Sequence, residues 1–254
     1  MTQPFHDHFG AVSQRYASAR PTYPEALFAW LAEIAPARDL AWDCGAGSGQ
    51  ASVALADHFA RVVATDASAG QVAQAVPHPR VTYRVAPAEA SGLDAGSVDL
   101  VTVAQALHWF PLDAFYGEVR RVLRAGGLIA AWTYAAFTLQ LPIADAIVRT
   151  YHYETMADWW PPERTFVENG YRDLAFPFDR IAVPAFQMET SWTLPQVTAY
   201  LRSWSATARF AAAHGGADPV APVEAALRAV WPEDGVTPVA VQWPLTVLAG
   251  QVAK

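Results

Sequence analysis

The chain has 254 residues, enough for one large α/β domain or a core with a small lid and cramped for two full domains. With 53% hydrophobic residues, ten Trp and only 16% charged residues, it has the composition of a well-packed globular protein and not of a disordered one. A net charge of -7 without a dense Lys/Arg run lacks the electrostatic footprint that phosphate neutralisation requires, which argues against nucleic acid as a direct ligand.

In chain order, the opening stretch MTQPFHDHFG has neither a basic n-region nor an apolar core, and no later stretch is apolar for long enough to span a bilayer. His6 and His8 lack convincing ligand partners, so no metal is expected. Pro24 to Ile34 reads as a helix with Leu27, Trp30, Leu31 and Ile34 on one face. From residue 38 to 132 one rhythm repeats: a short apolar or β-branched run, a turn, then helical spacing, the pattern of a parallel sheet. The runs are Leu40 to Cys44, Arg61 to Asp66, Val81 to Val85, Val98 to Val103 and Leu128 to Trp132. Gly49 to Phe59 and Asp113 to Leu123 carry helical spacing, Ser68 is a natural N-cap for a helix to about Val76, and Ala86 to Ser97 reads as a loop. Arg120, Arg121 and Arg124 fall at the end of a helix, where cations complement its dipole.

After Trp132 the rhythm stops. Pro142 to Trp160 looks helical until Trp159-Trp160-Pro161-Pro162 ends it, a composition suited to a lid. Phe186 to Trp192 and Val239 to Leu248 read as strands, and Leu194 to Phe210 and Val220 to Trp231 as helices. The expected organisation is a single domain with a helical cover over 1–37, a cofactor-binding core over 38–132, a helical lid over 133–180 and completing strands and helices over 181–254. Cys44 is the only cysteine, so no intrachain disulfide can form and a reducing, cytoplasmic setting is the simpler expectation, with the chain a monomer or homodimer.

The chemistry concentrates at Asp43-Cys44-Gly45-Ala46-Gly47-Ser48-Gly49, where the first strand meets a helix. Glycines there permit positive φ and close approach to a ligand, which suggests a nucleotide-type site. Dinucleotide folds place a further glycine where this chain has Gln50, and Asp43 at the mouth of the turn would repel a pyrophosphate but attract an ammonium group. Asp66 ends the second strand near the offset at which such folds set an acid on a ribose diol. A cationic nucleoside free of phosphate therefore fits better than a nicotinamide dinucleotide.

These residues resemble the class I S-adenosylmethionine-dependent methyltransferases, and SVDLVTVAQALHWF followed by EVRRVLRAGGL resembles their fourth strand, fourth helix and turn into strand five. YASARPTYP at Tyr16 to Pro24, together with AQALHWF, is similar to a small-molecule branch that includes trans-aconitate methyltransferase-like proteins. The resemblance implies a Rossmann-like, doubly wound α/β fold with a seven-stranded mixed sheet whose last strand is antiparallel. It also implies S-adenosylmethionine held by Asp43, Gly45, Ala46, Gly47, Gly49, Asp66 and Ala67, with Ala88 and Glu89 at the adenine and Gln105 at the methionine amino group. Pro87 stands where members often carry an acid.

Methyl transfer needs chiefly an acceptor held in line with the donor, at the carboxyl edge of the sheet. His108 and Trp109 follow the fourth strand there; His108 is the candidate base, or else a packed ring that orients Trp109. Arg20, Tyr16 and Tyr23 precede the core and either fold over the site, with the guanidinium facing a carboxylate, or simply pin the first helix. The expected acceptor is a small molecule methylated on a carboxylate or hydroxyl oxygen. A protein that binds the cofactor without turning it over is the remaining alternative.

Overall fold

The computed structural model describes residues 22–232 and 235–252, so Tyr16 and Arg20 lie outside the described residues. Strands β1 (Leu40–Cys44), β2 (Arg61–Asp66), β3 (Val81–Val85), β4 (Val98–Ala104) and β5 (Leu123–Thr133) are parallel, in the order β3-β2-β1-β4-β5. All of β1 and nearly all of β4 are buried, which is why their sequences show no polar alternation. Four strands follow: β6 (Thr138–Leu139), β7 (Asp179–Arg180), β8 (Phe186–Trp192) and β9 (Val239–Gln251). β9 runs antiparallel to β5 and also pairs with β6, β7 and β8. The sheet is thus the mixed, Rossmann-like one expected, with β8 as its seventh main strand and the two-residue β6 and β7 bringing the total to nine.

Alternation along β5 divides the core. Leu128, Ala130 and Trp132 face the helices α1 (Glu25–Ile34) and α2 (Gln50–Leu55), packing on Leu27, Phe28, Leu31 and Leu55. Ile129 and Ala131 face the opposite layer, where α4 (Leu112–Val122) buries Phe115, Val119 and Val122. Between these lies the short α3 (Ala69–Ala73), capped by Ser68, whose Oγ accepts from Gln71 N at 3.3 Å. Because successive connections from β1 and β4 go to opposite sides, their carboxyl ends border a crevice, the usual ligand position in such sheets.

The C-terminal half forms a second aromatic core around Phe137, Trp192, Tyr200, Trp204 and Trp243. It is covered by α5 (Pro142–Thr150), α7 (Leu194–Arg202), α8 (Ser205–Ala213) and α9 (Val220–Arg228), whereas α6 (Arg164–Glu168) buries Val167 in the layer of Phe115 and Val119. Two helices expected from periodicity are shorter than their patterns. The helix from Pro142 stops at Thr150 and continues as a π-turn over Tyr151–Thr155 and a 3-10 turn over Ala157–Trp159. The pattern from Leu194 breaks at Ser203-Trp204: Ser203 Oγ donates to the Tyr200 carbonyl at 2.6 Å, and Trp204 turns inward to stack on Tyr151. None of the helices among the described residues is long and apolar enough to cross a membrane.

Trp132 joins the layers, fully buried and meeting the rings of Tyr23 and Phe28 edge-on at 5.4 and 6.1 Å. Trp132→Ala is expected to lose about 3–5 kcal/mol of stability. Urea unfolding should show a lower midpoint with an unchanged slope.

Candidate active site

The turn between β1 and α2 bends through three left-handed glycines, Gly45 (φ 70°), Gly47 (φ 55°) and Gly49 (φ 87°). A β-carbon on Gly45 would lie 2.6 Å from Ala106 Cβ, and one on Gly49 would lie 2.2 Å from the Tyr83 hydroxyl. These two glycines let the turn pack on the protein itself. Only Gly47 has room above it, its nearest neighbour being Gln71 Oε1 at 3.8 Å from an added β-carbon.

Four backbone donors of the turn are already engaged. Gly45 N and Ala46 N donate to the Thr65 carbonyl at 2.8 and 3.0 Å, Gly49 N to the Ala46 carbonyl at 2.9 Å, and Gly47 N to Asp66 Oδ2 at 2.8 Å. A phosphate held by a glycine turn needs those N–H groups. Asp66 Oδ1 accepts from Ser68 N at 2.8 Å, and the Asp66 carbonyl accepts from Ala86 N at 3.0 Å. The acid thus ties the glycine turn to the loop after β3, which carries buried Ala88 and exposed Glu89.

Asp43 is not at the mouth of the turn, where the sequence reading put it, but beneath it, with no exposure to solvent. Ser52 Oγ donates to its Oδ2 at 2.6 Å and Thr102 Oγ1 to its Oδ1 at 2.8 Å, so α2 and β4 both close on the carboxylate. Burial is the largest influence on this group and, with the nearby charge of Asp66, pushes its pKa up to about 6 against the opposing pull of the two hydroxyls. An ionised Asp43 would act on a cation above it through its field, not through contact.

At the end of β4, Gln105 and Tyr171 are the two non-glycine residues with positive φ (58° and 60°) among the described residues. Such strained backbone persists where surrounding contacts over-determine it, and each of these residues is held by hydrogen bonds. Gln105 Nε2 donates to the Tyr134 carbonyl at 2.9 Å, which turns its Oε1 toward Thr133, whose hydroxyl donates to it. The Tyr171 hydroxyl meets His108 Nδ1 at 3.0 Å. Burial pushes the Tyr171 hydroxyl above the ordinary tyrosine range, so it keeps its proton. The direction of its contact with His108 follows the imidazole tautomer: with the proton on Nδ1, Nε2 is a bare acceptor, and with Tyr171 donating to Nδ1, Nε2 carries the proton. Burial first, and the charge of Arg164 second, lower the pKa of this imidazole to about 4, so it is neutral near pH 7.

Several predicted residues fall together here. His108 is half-buried with Trp109 against its ring at 4.8 Å, and Tyr23 packs on Trp132 and Tyr134 at 5.4 and 6.4 Å, above the Gln105 contact. Ala67 is exposed beside Asp66. The Gln105 side chain is committed to β5 and its N–H to the Trp132 carbonyl at 2.9 Å, leaving backbone carbonyls as the acceptors at this corner. Sequence reasoning missed Thr133 and Tyr171. A Tyr directly after Asn169-Gly170 gave no periodic signal, and it reaches His108 across 63 positions.

Comparison with known proteins agrees with this geometry. The methyltransferase domain family matches residues 42–131. A Dictyostelium discoideum protein that carries the name of a methyltransferase is 38% identical over 209 residues, covering 81% of this chain and 80% of the relative. A protein of Saccharomyces cerevisiae named for S-adenosylmethionine-dependent methyl transfer is 29% identical over 131 residues, 48% of this chain and 45% of its own. The solved structure of a type II methyltransferase from Anaeromyxobacter dehalogenans superposes with a TM-score of 0.87 at 48% identity, covering 92% of this chain and 98% of that one. The narrower likeness to trans-aconitate methyltransferases finds no support among these relatives.

The buried Asp43 has a measurable signature. Its folded pKa is raised above the usual 3.8, so its contribution to stability is full below that value and is lost as pH rises to about 6. Asp43→Asn should remove this dependence. Urea unfolding between pH 4 and 7 should show the variant gaining about 3 kcal/mol on the wild type across that window, and parallel curves would contradict the assignment.

Proposed function

Because the chain belongs to the class I S-adenosylmethionine-dependent methyltransferases, we propose that it methylates the hydroxyl oxygen of a small-molecule acceptor seated beside His108. The observation that supports this reading is the neutral, half-buried imidazole of His108, met at Nδ1 by the Tyr171 hydroxyl; in the tautomer that donates from Nδ1 to Tyr171, its Nε2 is an acceptor without a proton. A hydroxyl can donate to that atom; a carboxylate would meet it lone pair to lone pair.

The turn suits the cofactor on two grounds visible in its own residues. The N–H groups of all three of its glycines and of Ala46 are engaged, which disfavours phosphate, and a buried carboxylate lies below the one glycine with open space above it. S-adenosylmethionine would lie over Gly45, Ala46, Gly47 and Gly49, with its hydroxyls at Asp66 beside Ala67, its base at Ala88 and Glu89, and its amino group near Gln105. Arg20 is a further cofactor candidate, and Tyr16, Tyr23 and Trp109 are candidates for the acceptor wall. When bound, the cofactor supplies an electrophilic methyl group on a cationic sulfur. The acceptor could be a neutral hydroxyl, because the oxygen becomes strongly acidic only as its new bond forms. Even the weak base His108 can then take the proton at Nε2. The segment 133–180, rich in aromatics, would exclude water from this step.

The test is turnover with a hydroxyl acceptor drawn from a panel, read as S-adenosylhomocysteine formed. His108→Ala and Tyr171→Phe should each lower kcat by roughly 10²-fold, with the affinity for S-adenosylmethionine unchanged. The wild-type rate should be flat from pH 8 down to roughly pH 5 and fall as Nε2 is protonated toward its pKa of about 4. Full activity in His108→Ala at every pH would remove this role.

A further inference from the structure

Between the π-turn and α6 lies a cavity of about 350 Å³ lined by His152, Tyr153, Trp160, Arg164, Thr165 and Glu168, among others. Arg164 is held there on two sides. Its Nε donates to Glu168 Oε1 at 2.7 Å, and its guanidinium carbon lies over the Trp160 ring, 4.7 Å from the centroid. Trp160 is fixed in turn, since its Nε1 donates to the His152 carbonyl at 3.1 Å. Both Nη groups of Arg164 lack a partner among the described residues. A guanidinium locked by its Nε edge and one face, with its outer edge unmade, is pre-organised for bidentate binding of a carboxylate.

Glu168 does not fill that role. Its Oε1 contacts Arg164 Nε and, at 3.0 Å, His152 Nε2, while its Oε2 accepts from the Tyr153 hydroxyl at 3.2 Å. Its charge is thus shared among three donors. His152 is 2% exposed and its Nδ1 has no partner among the described residues. A buried, unpartnered polar atom in the wall of a polar cavity marks a place where a hydrogen bond is owed.

The cavity belongs to the same neighbourhood as the transfer site. α6 carries Arg164 and Glu168 toward it, and Tyr171 N donates to the Phe166 carbonyl of the same helix at 2.8 Å before its hydroxyl meets His108. The positive charge of Arg164 is felt at both His108 and Tyr171. From these contacts we infer that Arg164 anchors an anionic group of the acceptor, so that the substrate is a small hydroxy acid whose carboxylate sits on the Arg164 Nη edge while its hydroxyl faces His108 Nε2. This rests on the hydroxyl-methylation reading above and adds the acceptor's second functional group. Positions 164 and 108 then act as a two-point ruler. The carboxylate fixes orientation and the bare imidazole selects the hydroxyl to be methylated.

The test titrates the full chain, saturated with S-adenosylhomocysteine, with a panel of small aliphatic and aromatic hydroxy acids, each set against its own primary amide. At least one acid should bind ten-fold or more tightly than its amide. Arg164→Gln should bring that ratio to within about two-fold, and Arg164→Lys should keep part of it. Affinity for S-adenosylhomocysteine and the melting temperature should be unchanged in both variants, which separates loss of the anchor from loss of the fold. Acids that bind no better than their amides, an absence of acid binding, or a preference that survives Arg164→Gln would each overturn the inference. Failure of the protein to bind S-adenosylhomocysteine would instead count against the cofactor reading. Binding with the acid preference intact, but transfer to the carboxylate oxygen, would overturn the hydroxyl assignment alone.

Discussion

The Asp43 carboxylate, with no exposure to solvent, lies under the glycine turn, and much of the site is arranged around it. Its two oxygens draw in Ser52 from the first residues of α2 and Thr102 from β4, so strand, helix and neighbouring strand converge on one buried group. A charge in such a place is costly unless compensated. Two hydroxyl donors satisfy its geometry but bring no positive charge, and the pKa of about 6 is the mark of that shortfall. A cation bound over Gly47 would supply the missing charge. Four N–H groups of the same turn are engaged by Thr65, Ala46 and Asp66, which favours a cation there over an anion.

On the other side of the crevice, polarity is handled differently. Gln105 is tied to Thr133 and the Tyr134 carbonyl, and His108 to Tyr171, so residues of β4, β5 and the segment after α6 are held together by neutral hydrogen bonds. Gln105 and Tyr171, one in each pair, both have positive φ. Strain of this kind is commonly retained where a side chain must be aimed. On the function proposed above, the site would pair a negative floor under the donor with a neutral, proton-accepting wall for the acceptor.

How much of this was legible in the sequence follows the range of the interactions. The parallel core was legible because burial on both faces writes unbroken apolar runs, as in β1 and most of β2, and the edge strand β3, which has no buried residue, matches its predicted bounds as they do. β8 and β9 also began where expected, since cross-strand packing leaves an alternating signal. Helices beyond Trp132 were less legible. Apolar spacing continues through Ser203-Trp204 and through Tyr151–Thr155, yet the inward turn of one indole and a widened turn interrupt the helices themselves. Asp43 was found as a residue and misplaced in space, because its depth depends on Ser52 and Thr102 closing over it. Tyr171, Thr133 and Arg164 were invisible, because their roles arise from contacts between distant segments and no local pattern marks them.

The most direct measurement of the central claim is calorimetric titration of the full chain at neutral pH with S-adenosylmethionine, S-adenosylhomocysteine and NAD in turn. A turn whose backbone donors are engaged, above a buried carboxylate, predicts saturable binding of both adenosyl compounds and none of the dinucleotide. Tight binding of NAD with no response to either adenosyl compound would contradict it.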